Sequence, residues 1–482
     1  ANVHTFSSNS GGSWFSSMLL FSNSFVSDIQ NPNASRTWEN TGWLGQQKAL
    51  FDNAGCDRHT GDTFIACVFY EYGSIFHWDE VVEKLVFKNY PLGGALMNGT
   101  RTPWAKSKNL LLAGSMLTTQ VVLNKYGEDD DEIYYEACLS PSKAVLGGNE
   151  WLTCTTPHTA DVTPVTFSSV PLNPLFKAPP FLPAIGIGAG SGRLNLGYSQ
   201  AWLTGTPPVD TTSVANPLIN DDVSLIKAVS ASSAAGGFAA SYTFFNDWEK
   251  SYEASDEAVS FSLAQNKVKY TDAAEIDQQA LTAGKFVRIA DGGPVDNSGV
   301  AQLVGFLQMN RKGKNFNIVA FDNVQEIFST EDIVDPIAPV GIDIANLFGE
   351  GVCSTGFCDT DTCKGHCVRI PMVQIFDKSA ILGTPITWSI STEDPTQDQS
   401  LIYTRYRVTT IDNSNYGIRA GATGILHAFT CVWSNADTTP ENTTLNGDFD
   451  AYTEMLKFIY NGMRHNNNEG LNHLQRALGL TP

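Results

Sequence analysis

The chain of 482 residues is 42% hydrophobic and 17% charged, a composition typical of a globular protein with a large buried core. Its formal net charge of −20 repels phosphate backbones, so we expect no nucleic-acid partner. No stretch of about 18 uninterrupted apolar residues occurs, so no membrane-spanning helix is predicted.

The first 26 residues predict a strand, a tight turn and a helix, in that order. Residues 3–6 (Val-His-Thr-Phe) are typical of a short strand, and the small residues 8–12 that follow suit a sharp turn. Residues 14–26 place apolar side chains near helical spacing. This order is typical of a nucleophile elbow, where a serine is exposed on a strand-to-helix turn.

The rest of the chain alternates strand and helix signals, which predicts an α/β fold with a central mixed sheet and flanking helices. Residues 155–215 are rich in Pro, Thr, Ser and Gly and predict extended strands and loops, with a lid over an acyl pocket as one interpretation. We expect a single elaborated domain over residues 1–482 with such loop or lid insertions. Strands are predicted at 287–290 and 317–321, and helices at 74–91, 224–253, 342–348 and 450–478.

Ser10 is the candidate nucleophile of the predicted turn. A serine hydroxyl needs a base, an exposed position and donors for the developing oxyanion. Ser10 lies between Ser8 and Gly12 in a G-x-S-x-G pattern whose first Gly is replaced by Ser, and the N–H of Gly11 is free of side-chain obstruction. A plain Ser/Gly loop is the alternative, and Ser13 is the second candidate nucleophile.

Two short motifs resemble one enzyme family. Residues 8–14 (Ser-Asn-Ser-Gly-Gly-Ser-Trp) are similar to the nucleophile motif of fungal lysophospholipase/phospholipase B and of cytosolic phospholipase A2 catalytic domains, patatin-like hydrolases with a Ser-Asp dyad. In the same family an Asp opens an Asp-Gly-Gly turn with an Asn six residues later. Here Asp291, Gly292, Gly293 and Asn297 match that motif, in the family's order along the chain.

The resemblance implies a dyad in which Asp291 is the base for Ser10, without metal or cofactor. It implies hydrolysis of acyl esters of phospholipids or lysophospholipids at a membrane or micelle surface. Gly11, Gly12, Gly292, Gly293 and Asn297 would support the oxyanion and the two turns. A simple turn role for Asp291, and a serine amidase or peptidase, are alternatives. None of the eight histidines lies in a pattern that requires a catalytic role, although His427 is the best placed for a triad.

The family's Gly-Gly-Gly-x-Arg-like oxyanion segment would lie well upstream of the nucleophile, and only nine residues precede Ser10. Three alternatives stay open: a companion N-terminal chain released by processing, a segment outside this sequence, or a catalytically impaired extracellular glycoprotein with a structural or assembly role. The Gly-rich run 186–193 ends in Arg, and we interpret it as a loop or lid.

Cysteines and glycosylation sequons favour a secreted or lumenal protein, as in a lysosome or vacuole. The chain has nine cysteines, and their odd number leaves one thiol free or paired with another chain. Four evenly spaced cysteines predict a disulfide-stapled excursion over 353–367 rather than a zinc site, whose ligands usually come in close pairs. These are Cys353, Cys358, Cys363 and Cys367, and the sequons are at Asn33, Asn98 and Asn442.

Overall fold

The structure of the chain is a computed structural model. It describes residues 3–30, 43, 45–46, 78–92, 94–97, 99–117, 137–138, 160–169, 185–188, 193–195, 224–233, 259–262, 286–310, 315–324, 341–349, 373–380, 386–391, 399–413, 416–433 and 449–480. The asparagines of the predicted sequons and the four cysteines of 353–367 lie outside these residues.

Two mixed sheets form the frame of the described residues. The eight-stranded sheet has the order β6-β5-β4-β2-β8-β7, with β1 paired to β2 and β3 paired to β4. Its strands are β1 (Thr5–Ser8), β2 (Asn109–Leu117), β3 (Ala137–Cys138), β4 (Ala160–Ser168), β5 (Ile185–Gly188), β6 (Arg193–Asn195), β7 (Val259–Ser262) and β8 (Phe286–Asp291). The four-stranded sheet has the order β10-β11-β12-β9. Its strands are β9 (Phe316–Val324), β10 (Ile386–Ser391), β11 (Gln399–Thr409) and β12 (Thr423–Trp433).

Eight α-helices with described bounds accompany the sheets. They are α1 (Ser10–Phe21), α2 (Asn23–Ile29), α3 (Trp78–Val81), α4 (Leu225–Ser232), α5 (Gly293–Asp296), α6 (Val300–Asn310), α7 (Ile342–Leu347) and α8 (Phe449–Ala477). A π-helical turn, Val82–Val86, continues α3. α8 is interrupted at 465–468, where three consecutive asparagines have left-handed backbone, a conformation that Asn tolerates better than most residues.

Strands β1 and β8 lie end to end along the same edge of β2. β1 runs parallel to β2 and ends with Ser8 opposite Leu112. β8 runs antiparallel and ends with Asp291 opposite Gly114. The other edge of β2 is taken by β4. Because the two strands approach each other along β2, the turns that follow them meet at the same place in the fold.

Buried side chains hold this arrangement in place. Leu110 and Leu112 of β2 are fully buried against Met18 and Leu20 of α1 and against α4. Burial of one such leucine contributes about 1.5–3 kcal/mol. Separate clusters pack α6 and α7, and then α8, onto the four-stranded sheet. α1 is thereby fixed relative to β2, and its first residue is fixed with it.

The predicted α/β class, with helices and mixed sheets, is confirmed. The helix predicted at 14–26 begins earlier, at Ser10, and is divided by Ser22, whose hydroxyl accepts from the N–H of Phe25 and starts α2. Residues 155–215 supply β4, β5 and β6 to the large sheet, and the remainder of that range lies outside the described residues. A lid within that remainder stays a prediction.

Candidate active site

Ser10 is the first residue of α1 and has a strained backbone. Its φ is +45°, in the left-handed region, whereas Asn9 before it is extended. A left-handed residue other than glycine costs roughly 1–2 kcal/mol, and strain of this kind concentrates at functional sites. Among the described residues, the other non-glycine positions with positive φ are the three asparagines of α8. The chain therefore turns sharply between β1 and α1 at Ser10.

Asp291 ends β8 with a buried carboxylate that is 4% exposed. Its Oδ1 accepts a hydrogen bond of 2.7 Å from the N–H of Gly293. Burial raises its pKa from 3.8 to about 6, although the Gly293 bond and the hydroxyl of Ser10 each act to lower it. The described residues supply Oδ2 with no hydrogen-bond partner of standard geometry. One carboxylate oxygen is thus held by the backbone, the other is shielded from solvent, and the Ser10 hydroxyl lies close enough to affect the pKa of the carboxyl group.

The glycines around Asp291 allow close packing. A Cβ on Gly292 would lie 2.5 Å from the Cβ of Ala113 on β2. A Cβ on Gly293 would lie 3.2 Å from both Asp291 Oδ1 and Asn297 Oδ1. The two side chains therefore converge around Gly293, and a residue larger than glycine would press on both.

A chain of side-chain amides joins the two turns. The Nδ2 of Asn9 donates to Asn297 Oδ1 at 2.9 Å, and the Nδ2 of Asn297 donates to Asp343 Oδ2 at 2.6 Å. Alongside it, Ser7 Oγ donates to the carbonyl of Gly299 at 2.6 Å. Asn297 belongs to the predicted motif, whereas sequence reasoning missed Asn9, Ser7 and Asp343. No local signal marks them, because their partners lie far away in the sequence.

Two further carboxyl groups, of Asp296 and Asp322, lie close enough to Asp343 to feel its charge. Burial raises the pKa of Asp296 and of Asp343 to about 6, and the charge of Asp343 contributes to the shift of Asp296. Burial, followed by the charge of Asp343, raises the pKa of Asp322 well above 3.8. The described residues contain no group of three or more His, Cys, Asp or Glu side chains arranged to hold a metal ion.

Other residues considered as catalytic have structural surroundings. The hydroxyl of Ser13 is fully buried and lies 2.7 Å from that of Ser232 on α4. His427 is buried on β12 in the four-stranded sheet, where its ring nitrogens lie 2.8 Å from Tyr403 Oη and 2.9 Å from Asn317 Oδ1. Burial is the largest of the effects that lower the pKa of His427 to about 4. Within the described residues, the hydrogen bonds of these two side chains go to Ser232, Tyr403 and Asn317 and not to Asp291.

The face beside Ser10 is open. Gly11 and Gly12 are exposed, and a Cβ on Gly11 would meet no atom within 4 Å. One turn further along α1, Phe15 is 42% exposed and makes an edge-to-face contact with Phe25, their ring centroids 5.6 Å apart. No described helix is both long enough and apolar enough to cross a membrane.

No family model, no curated protein and no solved structure matches this chain. The resemblance to fungal lysophospholipases therefore stays a prediction that rests on the two motifs.

Proposed function

We propose that this chain is a serine acyl-ester hydrolase with Ser10 as nucleophile and Asp291 as base. One observation carries the proposal: Ser10, whose backbone is left-handed, lies beside the buried carboxylate of Asp291. The Oδ2 of that carboxylate has no hydrogen-bond partner of standard geometry among the described residues. A nucleophile elbow facing a base accounts for both features, because strain exposes the hydroxyl and burial raises the basicity of the carboxylate.

Acylation begins as Ser10 Oγ attacks the carbonyl carbon of an ester. The Oγ–C bond forms while the hydroxyl proton passes to Asp291 Oδ2. The tetrahedral intermediate collapses when the bond to the leaving alkoxide oxygen breaks, and that oxygen takes the proton from Asp291. In deacylation a water molecule gives its proton to Asp291 and attacks the acyl carbon. Collapse then releases the carboxylic acid and returns the proton to Ser10.

Backbone N–H groups at the start of α1 serve as the oxyanion donors. The first intrahelical bond there runs from the N–H of Ser13 to the carbonyl of Asn9, so the N–H groups of Gly11 and Gly12 have no helical acceptor. The positive end of the helix dipole adds to their attraction for an oxyanion. Both donors belong to the turn that carries Ser10.

The substrate class we propose is an acyl ester of a phospholipid or lysophospholipid. The open face from Gly11 to Phe15, backed by Phe25, suits an apolar chain better than a charged group. Its source would be a membrane or micelle surface. A secreted or lumenal location is the matching proposal, and it rests on the sequons and cysteines of the sequence.

A fluorophosphonate probe tests the nucleophile directly. We expect the probe to label Ser10, Ser10→Ala to abolish the label, and Asp291→Asn to slow labelling strongly. Ser13→Ala is the matched control. The Ser13 hydroxyl is buried and out of reach of the probe, so its removal should leave labelling intact. Equal labelling of the wild type and of Ser10→Ala would overturn the proposal.

Substrate assays separate the remaining alternatives. We expect lysophosphatidylcholine micelles to be hydrolysed and peptide amides of similar size to be untouched. Hydrolysis of the amides alone would select the amidase or peptidase reading. A folded chain that neither takes the probe nor hydrolyses either substrate would favour the structural or assembly role instead.

A further inference from the structure

Asn9 occupies a helix N-cap position without capping the helix. Asparagine is among the preferred N-cap residues, because its side-chain oxygen accepts from the second or third N–H of the helix. Here those N–H groups belong to Gly11 and Gly12, and Asn9 makes no side-chain cap. Its amide instead donates to Asn297. The residue best suited to occupy these N–H groups is therefore held elsewhere.

Asn297 is oriented from its other side by a carboxylate. Its Nδ2 donates to Asp343, so its Oδ1 faces Asn9. If the amide of Asn297 were turned over, its oxygen would face the Asp343 carboxylate and its NH₂ would face the NH₂ of Asn9. Both contacts would be repulsive, so Asp343 selects the orientation in which Asn297 holds Asn9.

A second feature that points to a bound ligand, the buried Asp291 carboxylate, lies near these N–H groups. Asp291, which is 96% buried, faces Ser10 at the start of the same helix with an Oδ2 that has no partner among the described residues. A carboxylate oxygen with no hydrogen-bond partner of standard geometry and the N–H groups of Gly11 and Gly12 therefore both lie near Ser10. A reacting carbonyl group would use both at once.

We propose that Asn297 is a positioning residue that keeps the side chain of Asn9 from capping α1. Asp343 assists by orienting Asn297, and the N–H groups of Gly11 and Gly12 stay open for the oxyanion. The inference rests on the proposed function for its catalytic consequence. The proposed competition between Asn9 and an oxyanion for the same N–H groups does not depend on catalysis and can be tested without it.

Hydrogen exchange at Gly11 and Gly12, followed by mass spectrometry, tests the competition without catalysis. In Asn297→Ala the side chain of Asn9 is released, and we expect exchange there to slow by about fivefold, the protection that one capping bond gives. The double variant Asn9→Ala/Asn297→Ala should return to the wild-type rate. Asn472→Ala is the matched control, since it removes an amide hydrogen bond to the carbonyl of Asn467 on the C-terminal helix.

The labelling rate of Ser10 by the fluorophosphonate probe is the second readout. We expect Asn297→Ala to slow it by about tenfold to a hundredfold, less than the roughly hundredfold to thousandfold cost of removing an oxyanion donor outright. Asn9→Ala/Asn297→Ala should recover most of that loss, which a merely structural role for Asn297 would not allow. Asn297 is exposed, so its variant should fold, and Asp343→Ala should give a smaller change in the same direction.

Two results would overturn the inference: unchanged exchange at Gly11 and Gly12 in Asn297→Ala, or a double variant as slow in labelling as the single one. Failure of the proposed function is distinguishable, because a wild type that takes no probe leaves the exchange experiment fully interpretable.

Discussion

Replacing Gly292 with alanine should separate the Asp291 carboxylate from Ser10. The new Cβ would lie 2.5 Å from the Cβ of Ala113, 2.7 Å from its carbonyl carbon and 2.8 Å from its oxygen. None of these atoms is the end of a flexible side chain. β2 is paired on both edges, with β4 on one side and β1 and β8 on the other, so the end of β8 must move.

The size of that movement sets the expected effect. Carbon atoms in favourable contact are about 3.5–4.0 Å apart, so the turn after Asp291 must move by roughly 1 Å. Overpacking of this kind costs about 1–3 kcal/mol of stability. A misplacement of about 1 Å at a reacting group lowers the rate about a hundredfold. We therefore expect kcat/KM to fall by about two orders of magnitude. The free energy of unfolding should fall by only about 1–3 kcal/mol, so most of the protein should stay folded.

The assay measures kcat/KM for ester hydrolysis with protein that has been shown to be folded. Denaturant unfolding then gives the free energy of unfolding of each variant. Gly305→Ala is the matched control, because its Cβ would overlap the carbonyl oxygen of Tyr416, so it overpacks the fold at a glycine remote in sequence from Asp291. It should lower stability without a comparable loss of activity per folded molecule. A Gly292→Ala protein that is destabilised yet hydrolyses esters at the wild-type order of magnitude would refute the geometric argument.

Three other predictions concern buried titratable groups. Since Asp291 must be ionised to act as base and burial raises its pKa to about 6, kcat/KM should rise with pH through about 6, and a flat profile between about pH 4 and pH 8 would contradict this. Asp322 has a raised pKa and an Oδ2 without a partner among the described residues. The folded state therefore binds the Asp322 proton more tightly than the unfolded chain does, and the protein loses stability as pH rises above 3.8. Asp322→Asn should therefore stabilise the protein by about 1–3 kcal/mol at neutral pH and by less near pH 4, measured as the free energy of unfolding; equal gains at both pH values would argue against it. His427→Phe should cost about 1–3 kcal/mol by leaving Tyr403 and Asn317 without their partner, while ester hydrolysis per folded molecule stays unchanged.

Elements formed by neighbouring residues are well predicted from the sequence. The strand before Asp291, the strand at 317–321 and the helix at 342–348 all appear in the structure near their predicted positions. Their signals are local, since apolar periodicity and turn residues act within a few positions of the chain. The start of α1 was predicted four residues late, because its glycine-rich first turn lacks the apolar residues that mark a helix.

The sequence by itself determined the strand, the small-residue turn and the helix around Ser10, and a second strand that ends in Asp291 and two glycines. Only the tertiary structure decided that both strands lie on one edge of β2, so that the two turns meet. It also decided the raised pKa of Asp291 and the partnership of Asn9 with Asn297. The physical reason is distance along the chain: strand pairing, burial and hydrogen bonds between remote residues depend on how the whole chain packs, and no local pattern records them.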